Sequence, residues 1–500
     1  MNPVCFIIPP SPFLLDERVF MSLGVLKVAA VLEKEGIPVE VLDLSGIENY
    51  QEALKYHARK TTADTFGFTA TTPQMPQAAE LAKILQQIRP EAKTVIGGPH
   101  PTLTFAAFKK ERLRGLEGRA TRAMRQLTDV FKVIVCGDGE RSIFEAISDE
   151  HPSGTILDAD DPKSPLFLTN QSLNDTPFPA RHLVDVESYH YQIDGERAVS
   201  LIAQLGCPFQ CGFCGGRNSP MLRRVRTRTT ENVVREMEHL YRTYGVKGFM
   251  MYDDELNVNP QMVELMEAIH EKQKELGVAW KLRGFIKSQL FTEAQAKAMY
   301  RAGFRWILTG FESGSPRILE NINKRATAEE NTRCVQVAHG VGLKVKALMS
   351  MGHPGESLTT IRQTQDWLTT NLTKTDDFDV TIITPYPGSP YYDEAVEVDG
   401  HYVYTYPQTG DKLWMKEVNY FETADYYKGD PDGGYRSYVW TETLTPETLV
   451  QERDRLERDV RRALDIPFYP AKPAQRFEHS MGQGLPETIL RKTKQLTNVL

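Results

Sequence analysis

The stretch Leu205-Gly-Cys207-Pro-Phe-Gln-Cys211-Gly-Phe-Cys214-Gly-Gly places three of the chain's six cysteines within eight residues. It follows an apolar run at 199–205 that predicts a β-strand, so the cysteines lie on a loop at a strand's carboxyl end. Three thiolates on a short loop can bind three irons of a cubane cluster and leave the fourth iron open to an outside ligand. A zinc site is the alternative, but structural zinc takes four protein ligands, and neither a fourth cysteine nor a nearby histidine completes a set. We therefore predict that Cys207, Cys211 and Cys214 are the metal ligands of an iron–sulfur cluster.

The rest of the composition is that of an ordinary globular protein, with 41% hydrophobic and 25% charged residues. The net charge of −7 predicts no broad basic surface, so nucleic acid is not an expected partner. No apolar run approaches the ~18 residues of a membrane span, and the N-terminus lacks the cationic start of a signal peptide. We expect a cytoplasmic protein without a membrane span. Cys5, Cys136 and Cys334 lie in apolar patterns and are predicted to be buried.

The first 150 residues alternate apolar runs with amphipathic stretches. Strands are predicted at 4–8, 39–43, 65–69, 93–97 and 132–136, with helices near 23–35, 51–60, 77–88, 103–127 and 141–147. This alternation predicts an α/β domain with a doubly wound parallel sheet over 1–150. Such sheets bind ligands beyond the carboxyl ends of their strands, where Gly97-Gly98-Pro99-His100 and Gly137-Asp138-Gly139-Glu140 occur. Residues 151–191, rich in Pro, Asp and Ser, are predicted to be a surface linker.

A second alternating series covers 192–390 and predicts a partial (βα)6 barrel. Its strands are predicted at 199–205, 246–252, 278–285, 304–309, 343–351 and 378–384, with helices at 231–244, 261–276, 293–302, 328–339 and 358–370. The chemistry of such a barrel gathers at the carboxyl ends of its strands. Residues 391–500 form a mixed C-terminal region with many tyrosines, among them Tyr427 and Tyr435, and a charged helix at 446–464. We expect this region to carry substrate specificity.

The cysteine loop and several later turns resemble the signature of the radical S-adenosylmethionine (SAM) superfamily. The later matches are Gly310-Phe311-Glu312-Ser313-Gly314, Met351-Gly-His-Pro-Gly-Glu356 and Thr384-Pro-Tyr-Pro-Gly-Ser-Pro-Tyr391, each after a predicted strand. The resemblance implies that a 4Fe–4S cluster binds SAM at its open iron and, when reduced, cleaves SAM to a 5′-deoxyadenosyl radical. It also implies SAM contacts from Phe213, Gly215, Gly216, Glu312 and Ser313.

Other polar residues allow two interpretations. Arg283, at the end of the third strand, pairs with the SAM carboxylate or is a surface arginine. Asp253 contacts SAM or caps a following helix. The arginines at 223, 224, 226 and 228 are more typical of a solvated loop than of an anion site.

The first domain resembles the cobalamin-binding domain that precedes the barrel in one subclass of this superfamily. The positions that the resemblance assigns to cobalamin are Pro10, Thr69, Thr71, Thr72, Gly97, Gly98, His100, Gly137, Gly139 and Glu140. No Asp-x-His-x-x-Gly motif is present, so no histidine is marked as the lower cobalt ligand, and His100 is interpreted as a locally bonded turn residue. The segment 106–128 is longer and more basic than the resemblance predicts.

The resemblance implies a cobalamin-dependent methyltransferase that transfers a methyl group to an unactivated carbon or phosphorus of a small-molecule substrate. It also implies an electron donor such as flavodoxin or ferredoxin. The alternatives are a radical SAM cyclase, oxidase or rearrangement enzyme of the same architecture, and a non-enzymatic corrinoid or metal sensor. A methylthio-transferring enzyme is disfavoured, because no N-terminal cysteine triad is present. The sequence does not indicate the substrate.

Overall fold

The computed structural model describes residues 2–11, 14, 16–148, 151–426, 436–467, 475–478 and 490–493. Tyr427 and Tyr435, which we assigned to the tyrosine-rich C-terminal region, lie outside these residues. No helix in the described part of the chain is long and apolar enough to cross a membrane.

The N-terminal part forms, within the described residues, a six-stranded parallel sheet in the order β2-β1-β3-β4-β5-β6. The strands are β1 (Val4–Ile8), β2 (Val39–Asp43), β3 (Thr65–Thr69), β4 (Lys93–Gly97), β5 (Val133–Gly137) and β6 (Thr155–Ala159). The helices are α1 (Leu23–Lys34), α2 (Tyr50–Lys60), α3 (Met75–Ile88), α4 (Pro99–Leu113), α5 (Arg119–Val130) and α6 (Gly139–Ala146). The doubly wound α/β fold is therefore confirmed.

Two details of this domain differ from the prediction. The sixth strand lies in the segment 151–191 that we predicted as a linker, where five residues pair with β5 despite their polar flanks. The predicted helix 103–127 is two helices, because the chain turns at Gly115, whose φ of 67° favours glycine. Cys5 and Cys136 are fully buried in this domain, as predicted.

The second series curls into a partial barrel. In the described residues its sheet has seven strands in the order β15-β14-β13-β12-β11-β8-β7, all parallel except β7. The elements from the end of the first sheet to the last barrel strand are α7 (Asn170–Asp175), β7 (Gln192–Ile193), β8 (Glu196–Leu201), β9 (Gln204–Leu205), α8 (Pro220–Arg223), β10 (Arg226–Thr227), α9 (Thr230–Tyr244), β11 (Gly248–Met251), α10 (Met262–Leu276), β12 (Lys281–Phe285), α11 (Glu293–Arg301), β13 (Phe304–Glu312), α12 (Pro316–Asn321), α13 (Ala328–Gly340), β14 (Lys344–Met351), α14 (Leu358–Asn371) and β15 (Asp377–Ile382). Alternate strand residues pack on the helices, and the others face the barrel interior.

The C-terminal region packs against the last strand of the barrel. Its described elements are α15 (Pro390–Asp393), β16 (Val396–Val398), β17 (His401–Thr405), β18 (Lys412–Met415), β19 (Val439–Trp440), α16 (Pro446–Leu464), β20 (Gln475–Glu478) and β21 (Leu490–Thr493). Strands β16 to β19 form an antiparallel sheet, and β20 pairs with β21. Arg453 and Arg461 of α16 donate to the backbone carbonyls of Val380 and Phe378 on β15, each at 2.8 Å. The helix thereby provides hydrogen-bond donors for backbone carbonyls of the last barrel strand, which lies at the edge of the sheet.

The long basic segment 106–128 joins the first domain to the C-terminal region. The Arg119 guanidinium lies 3.7 Å from the ring centroid of Tyr392 and 4.0 Å from that of Tyr402. Arg122 pairs with Glu417 at 2.7 Å. The extra length and the positive charge of this segment therefore serve an interdomain contact.

Candidate functional site

The cysteine loop lies between β9 and α8, and backbone hydrogen bonds fix it at several points. The Cys207 N–H donates to the Leu222 carbonyl at 3.0 Å, and the Gly212 N–H donates to the Ile322 carbonyl at 2.8 Å. Gly206 has a φ of 85°, and a Cβ there would lie 2.2 Å from the carbonyl oxygen of Arg224. This close approach requires glycine at the entrance to the loop.

The three thiols of this loop are accessible, in contrast to the three other cysteines. Cys207 and Cys211 are half-buried and Cys214 is exposed, whereas Cys5, Cys136 and Cys334 are buried. Partial burial, with the nearby carboxylates Glu255 and Asp254, raises the pKa of Cys207 to about 11. A thiol in this position becomes a thiolate when a metal binds it. Three accessible thiols on one loop fit the three protein ligands of a 4Fe–4S cluster.

Glu312 is the centre of a buried polar network at the ends of β13 and β14. Its φ of 67° is in the left-handed region, which is unusual for a residue other than glycine and common at functional sites. Oε1 accepts from Lys324 Nζ at 3.0 Å and Oε2 accepts from the Ser350 hydroxyl at 2.8 Å. Although burial opposes both shifts, the ion pair lowers the pKa of Glu312 and raises that of Lys324.

The network continues through His353 to the C-terminal region. Burial lowers the pKa of His353 to about 4, so the ring is neutral. The Ser350 hydroxyl proton is donated to Glu312, so His353 Nε2, at 2.8 Å from Ser350 Oγ, is the donor to that hydroxyl. Nδ1 then accepts from the Tyr391 hydroxyl at 3.4 Å. Phe213 of the cysteine loop packs with its ring centroid 5.4 Å from that of His353, which places the loop beside this network.

Two lysines lie beneath the cysteine loop. Lys287 Nζ is 4.4 Å from the ring centroid of Phe209 in the loop and donates to the Lys324 carbonyl at 3.1 Å. Burial, together with the charge of Lys324, lowers the pKa of Lys287. Both lysines interact electrostatically with Cys211, so they could offset the negative charge of metal-bound thiolates.

Three other predicted SAM contacts make close contacts within the protein. A Cβ on Gly215 would meet the Leu103 side chain at 3.2 Å, and a Cβ on Gly216 would meet Leu222 at 3.0 Å. The Ser313 hydroxyl lies 2.9 Å from that of Thr364 on α14. The two glycines therefore permit tight packing of the loop, and the Ser313 hydroxyl has a partner in the protein.

Asp253 follows β11 and is not a helix cap. Its Oδ1 accepts from the backbone N–H groups of Ala203 and Gln204, which lead into the cysteine loop. Burial raises the pKa of Asp253 to about 7. Oδ2 is buried and has no hydrogen-bond partner among the described residues, so it can accept from a ligand donor.

Arg283 is buried, so its interpretation as a surface arginine is wrong. Its side chain lies inside the barrel, where Nη1 donates to the Tyr191 hydroxyl at 3.3 Å and the guanidinium is 5.7 Å from the Trp306 ring centroid. It lies two residues before the end of β12, whereas Glu312 is the last residue of β13.

Two of the four loop arginines are also buried, which corrects their interpretation as a solvated group. Arg226 pairs with Asp138 of the first domain at 2.6 Å, and Arg228 pairs with Glu236 of α9 at 2.6 Å. Arg223 is half-buried and Arg224 is exposed. The sequence could not reveal the buried pairs because their partners are separated from them by up to 88 residues.

The predicted cobalamin residues lie at the carboxyl edge of the first sheet, where Pro10 follows β1, Thr69 ends β3, Thr71 follows it, and Gly97 ends β4. Thr71 is exposed and Gly97 is half-buried, and a Cβ on Gly97 would meet nothing closer than 3.8 Å. Thr72 and His100 are buried, with His100 Nδ1 3.2 Å from the Thr72 hydroxyl. An accessible edge of small residues fits the approach of a flat ring.

Three glycines of this group are required by the domain itself. Gly98 has a φ of 100°, and a Cβ there would lie 2.8 Å from the Thr69 hydroxyl and 3.2 Å from the backbone of Ala70. A Cβ on Gly137 would lie 2.3 Å from the Ala159 backbone, and one on Gly139 would lie 2.8 Å from Val28. Glu140 is half-buried at the start of α6.

The first sheet and the cysteine loop meet through α4. Gly388, in the turn after β15, lies between the two. A Cβ there would lie 2.7 Å from the Gly215 carbonyl in the loop and 3.1 Å from the Leu103 carbonyl in α4, so glycine at this position lets α4 approach the loop closely. Asp160, after β6, accepts from the Ser219 hydroxyl at 2.5 Å and from the Met221 N–H at 3.0 Å. The carboxyl ends of the first sheet therefore lie next to the cysteine loop of the barrel.

Comparison with known proteins gives matches to both parts. A model of the radical SAM superfamily matches residues 201–368, and a model of the B12 binding domain matches residues 17–128. The chain is 27% identical to an uncharacterized methyltransferase of Pyrococcus horikoshii, over 79% of this chain and 83% of that protein. It is 26% identical to the anaerobic magnesium-protoporphyrin IX monomethyl ester cyclase of Rubrivivax gelatinosus, over 66% of this chain and 58% of that enzyme. The fold resembles the radical SAM methyltransferase TsrM from Kitasatospora setae, solved with cobalamin and a 4Fe–4S cluster, with a TM-score of 0.63, 17% identity and 91% of each chain covered.

Sequence reasoning missed Lys324, Ser350 and the role of His353 in the site. Lys324 is in a polar stretch, Asn321-Ile-Asn-Lys324-Arg, that reads as a surface turn. The positive φ of the preceding Asn323 and of Arg325 could not be inferred from the sequence, although Asn adopts this conformation more readily than most residues.

Proposed function

Because the chain belongs to the radical SAM superfamily and carries a B12 binding domain, we propose that it is a cobalamin-dependent radical SAM methyltransferase. When bound, the cofactors would supply the radical and the methyl group, which goes to a carbon or phosphorus of a small molecule. The contact of α4 with the cysteine loop carries the proposal, because Leu103 lies against Gly215 only five residues after the Gly98 turn. This contact brings the accessible edge of the first sheet and the three thiols to one place.

The residues of the chain have separate roles in this proposal. Cys207, Cys211 and Cys214 hold the cluster, while Lys287 and Lys324 offset its negative charge. Glu312, held in one orientation by Lys324 and Ser350, and Asp253, through its Oδ2, would contact polar groups of SAM. Phe213 would line the SAM site. Arg283, whose side chain lies inside the barrel, would pair with a ligand carboxylate that extends into the barrel.

The cobalamin ring would lie against Thr69, Thr71 and Gly97, and Pro10, which is buried, would support this edge from beneath. The turns at this edge require three glycines, which are Gly98, Gly137 and Gly139. Beside these turns lie Thr72, His100 and Glu140, which would help to fix their conformation. We further propose that a reduced flavodoxin or ferredoxin supplies the electron and that the protein acts in the cytoplasm.

The test uses anaerobically reconstituted protein with SAM that carries a 13C-labelled methyl group. A methyltransferase should bind about one cobalamin and about four irons per chain. It should form labelled methylcobalamin and release both S-adenosylhomocysteine and 5′-deoxyadenosine. Replacement of Cys334 by Ser serves as the control, because this buried cysteine is far from the loop in sequence and packs in the barrel core.

A cyclase is the second candidate, because one of the relatives is a cyclase. Release of 5′-deoxyadenosine from protein supplied with cobalamin, without labelled methylcobalamin or S-adenosylhomocysteine, would favour this second candidate over methyl transfer.

A further inference from the structure

A second group of side chains that can bind a metal ion lies in the first domain. Cys5 is on β1, and Glu40 is its partner in the parallel pairing of β1 with β2. His57 is in the last turn of α2, and Leu54 and Ala58 of this helix pack in one buried cluster with Cys5. Two strands and a helix therefore contribute one side chain each. We refer to Cys5, Glu40 and His57 as the first-domain triad.

The triad is not part of the site described above. Cys5 and Glu40 are each the second residue of their strand, near its amino end. Thr69 and Gly97, by contrast, are the last residues of β3 and β4. Since β1 to β4 are parallel, the triad lies nearer the opposite end of the sheet from the predicted cobalamin positions. A ligand of the triad would therefore be additional to cobalamin and to the iron–sulfur cluster.

One ring nitrogen of the triad contacts both of the other side chains. His57 Nε2 lies 3.4 Å from Cys5 Sγ and 3.0 Å from Glu40 Oε2. This nitrogen carries either one hydrogen or one lone pair, so it either donates to the carboxylate or accepts from the thiol. No single protonation state makes both contacts full hydrogen bonds, whereas one cation among the three atoms can bind sulfur, nitrogen and oxygen together.

The spacing of the three atoms fits zinc. Tetrahedral zinc, with bonds of about 2.3 Å to sulfur and about 2.0 Å to nitrogen and oxygen, separates sulfur from nitrogen by about 3.5 Å and nitrogen from oxygen by about 3.3 Å. The observed separations are 3.4 Å and 3.0 Å, and all three ligand atoms lie within 4.8 Å of one another. Thr61, directly after α2, donates its hydroxyl to Glu40 Oε2 at 2.7 Å. This contact orients the carboxylate, as the supporting partners of metal ligands do.

The triad is accessible to solvent through two of its members. Cys5 is fully buried, but the side chains of His57 and Glu40 are 20% and 33% exposed. We propose that Cys5, His57 and Glu40 bind Zn²⁺, with water in the fourth position. The Cys5 thiol loses its proton to solvent as the zinc–sulfur bond forms, and the thiolate favours Zn²⁺ over Mg²⁺, which prefers oxygen ligands. The bound ion would connect β1, β2 and α2 and so stabilise the first domain.

The test measures Zn²⁺ on the holoenzyme, in which the loop thiols hold the iron–sulfur cluster. After equilibrium dialysis with Zn²⁺ and an excess of Mg²⁺, metal analysis by mass spectrometry should find about one zinc per chain. X-ray absorption at the zinc edge, which does not detect iron or cobalt, should show one sulfur at about 2.3 Å and three nitrogen or oxygen ligands at about 2.0 Å. The midpoint temperature of unfolding should rise with the Zn²⁺ concentration.

Each ligand of the triad can be removed separately. His57→Gln and Glu40→Gln change partly exposed side chains and should fold normally, while Cys5→Ser removes the sulfur. Each variant should weaken zinc affinity by at least about tenfold, because loss of even a supporting partner of a metal ligand costs about 10–100-fold. The rise in unfolding temperature with Zn²⁺ should be lost in all three variants.

Matched controls are His182→Gln and Cys334→Ser. His182 pairs with Glu33 at 2.9 Å, but no third ligand group joins this pair in the described part of the chain, and Cys334 is buried in the barrel core. Both controls should retain about one zinc per chain. Wild-type protein without stoichiometric zinc, zinc with three sulfur ligands, displacement of zinc by Mg²⁺, or equal losses in the controls would each overturn the inference.

Iron and cobalt are measured on the same samples, which separates this inference from the proposed function. Zinc with one sulfur ligand on a protein that binds no cobalamin would refute the methyltransferase and leave the zinc site standing. Methyl transfer by a protein that binds no zinc would do the reverse.

Discussion

The two ends of the site differ in how the chain builds them. At the barrel end, reactive and charged side chains dominate: three accessible thiols, a buried Glu312–Lys324 pair and a neutral His353. At the edge of the first sheet, glycines and threonines dominate, and the histidine there is fully buried. The barrel end therefore depends on electrostatics and ligand chemistry. The carboxyl edge of the first sheet, which we call the first edge, depends on shape. Substitutions at the two ends should fail in correspondingly different ways.

Removal of the cluster ligands should have the largest effect. Replacement of Cys207, Cys211 and Cys214 by Ala should reduce iron from about four per chain to background, because no thiolate remains on the loop. Iron analysis and visible absorption check this. Single replacements of Cys5, Cys136 or Cys334 should retain the iron. A native protein that contains zinc and no iron would contradict the assignment.

Loss of the Glu312 carboxylate should be the next largest effect at the barrel end. Glu312→Ala leaves the charge of buried Lys324 unpaired, which costs about 3–5 kcal/mol of unfolding free energy. The double variant with Lys324→Met should recover most of this stability in urea titrations, yet still bind SAM weakly. The iron content should fall less than SAM binding. Native SAM affinity in the double variant would mean that Glu312 is purely structural.

The first edge can be tested by a pair of adjacent glycines. Gly97→Val should weaken cobalamin binding by about tenfold or more, because the side chain would occupy the space of the ring. The variant should lose little stability, because a Cβ at Gly97 has room within the protein. Gly98→Ala should instead destabilise the fold by about 1–3 kcal/mol, because of its φ of 100° and the nearby Ala70 backbone. Cobalamin titration and urea unfolding separate the two effects. Unchanged cobalamin binding in Gly97→Val would show that the corrinoid does not bind at this edge.

This pair also shows where sequence reasoning ends. Adjacent glycines look alike in sequence, so the sequence does not indicate which of the two could take a larger side chain without disturbing the fold. The structure shows that the missing Cβ of Gly98 points at its own domain, and that the open position is Gly97.

Apolar runs made most strands predictable, and β1, β2, β3 and β4 have the predicted bounds. The sixth strand was missed because proline and aspartate flank a run of five residues whose burial depends on pairing with β5. The thiols could be identified because three ligands are close in sequence. The Arg226–Asp138 and Tyr252–Phe20 contacts could not, since each joins segments far apart in the chain.

Asp253 should give the barrel end a pH dependence that the first edge lacks. Its pKa of about 7 in the folded protein is above the unfolded value near 4, so the folded state holds this proton more tightly. Its contribution to stability is complete below pH 4 and is lost as the pH rises to 7, on the order of 4 kcal/mol by linkage. Asp253→Asn should therefore gain stability over the wild type between pH 5 and pH 8 in urea titrations. Parallel stability curves for the two proteins would contradict the burial of an ionisable carboxyl here.

The smallest effect on the spectrum of bound corrinoid is expected from substitution of His100, at the first edge. This histidine is fully buried, its ring nitrogens lie 3.2 Å from the Thr72 hydroxyl and 3.4 Å from the Thr104 hydroxyl, and its ring packs 6.2 Å from that of Tyr420. Burial lowers its pKa to about 3, so it stays neutral, and neither nitrogen faces the accessible edge where a corrinoid would lie. The Co(II) electron paramagnetic resonance spectrum of the bound corrinoid should therefore lack nitrogen splitting from a protein ligand, and His100→Ala should leave that spectrum unchanged. The same variant should lose about 1–3 kcal/mol of stability, because two buried hydroxyls lose their partner. A nitrogen splitting that disappears in His100→Ala would show that the ring turns toward cobalt when the corrinoid binds, and the first edge would then share the ligand chemistry of the barrel end.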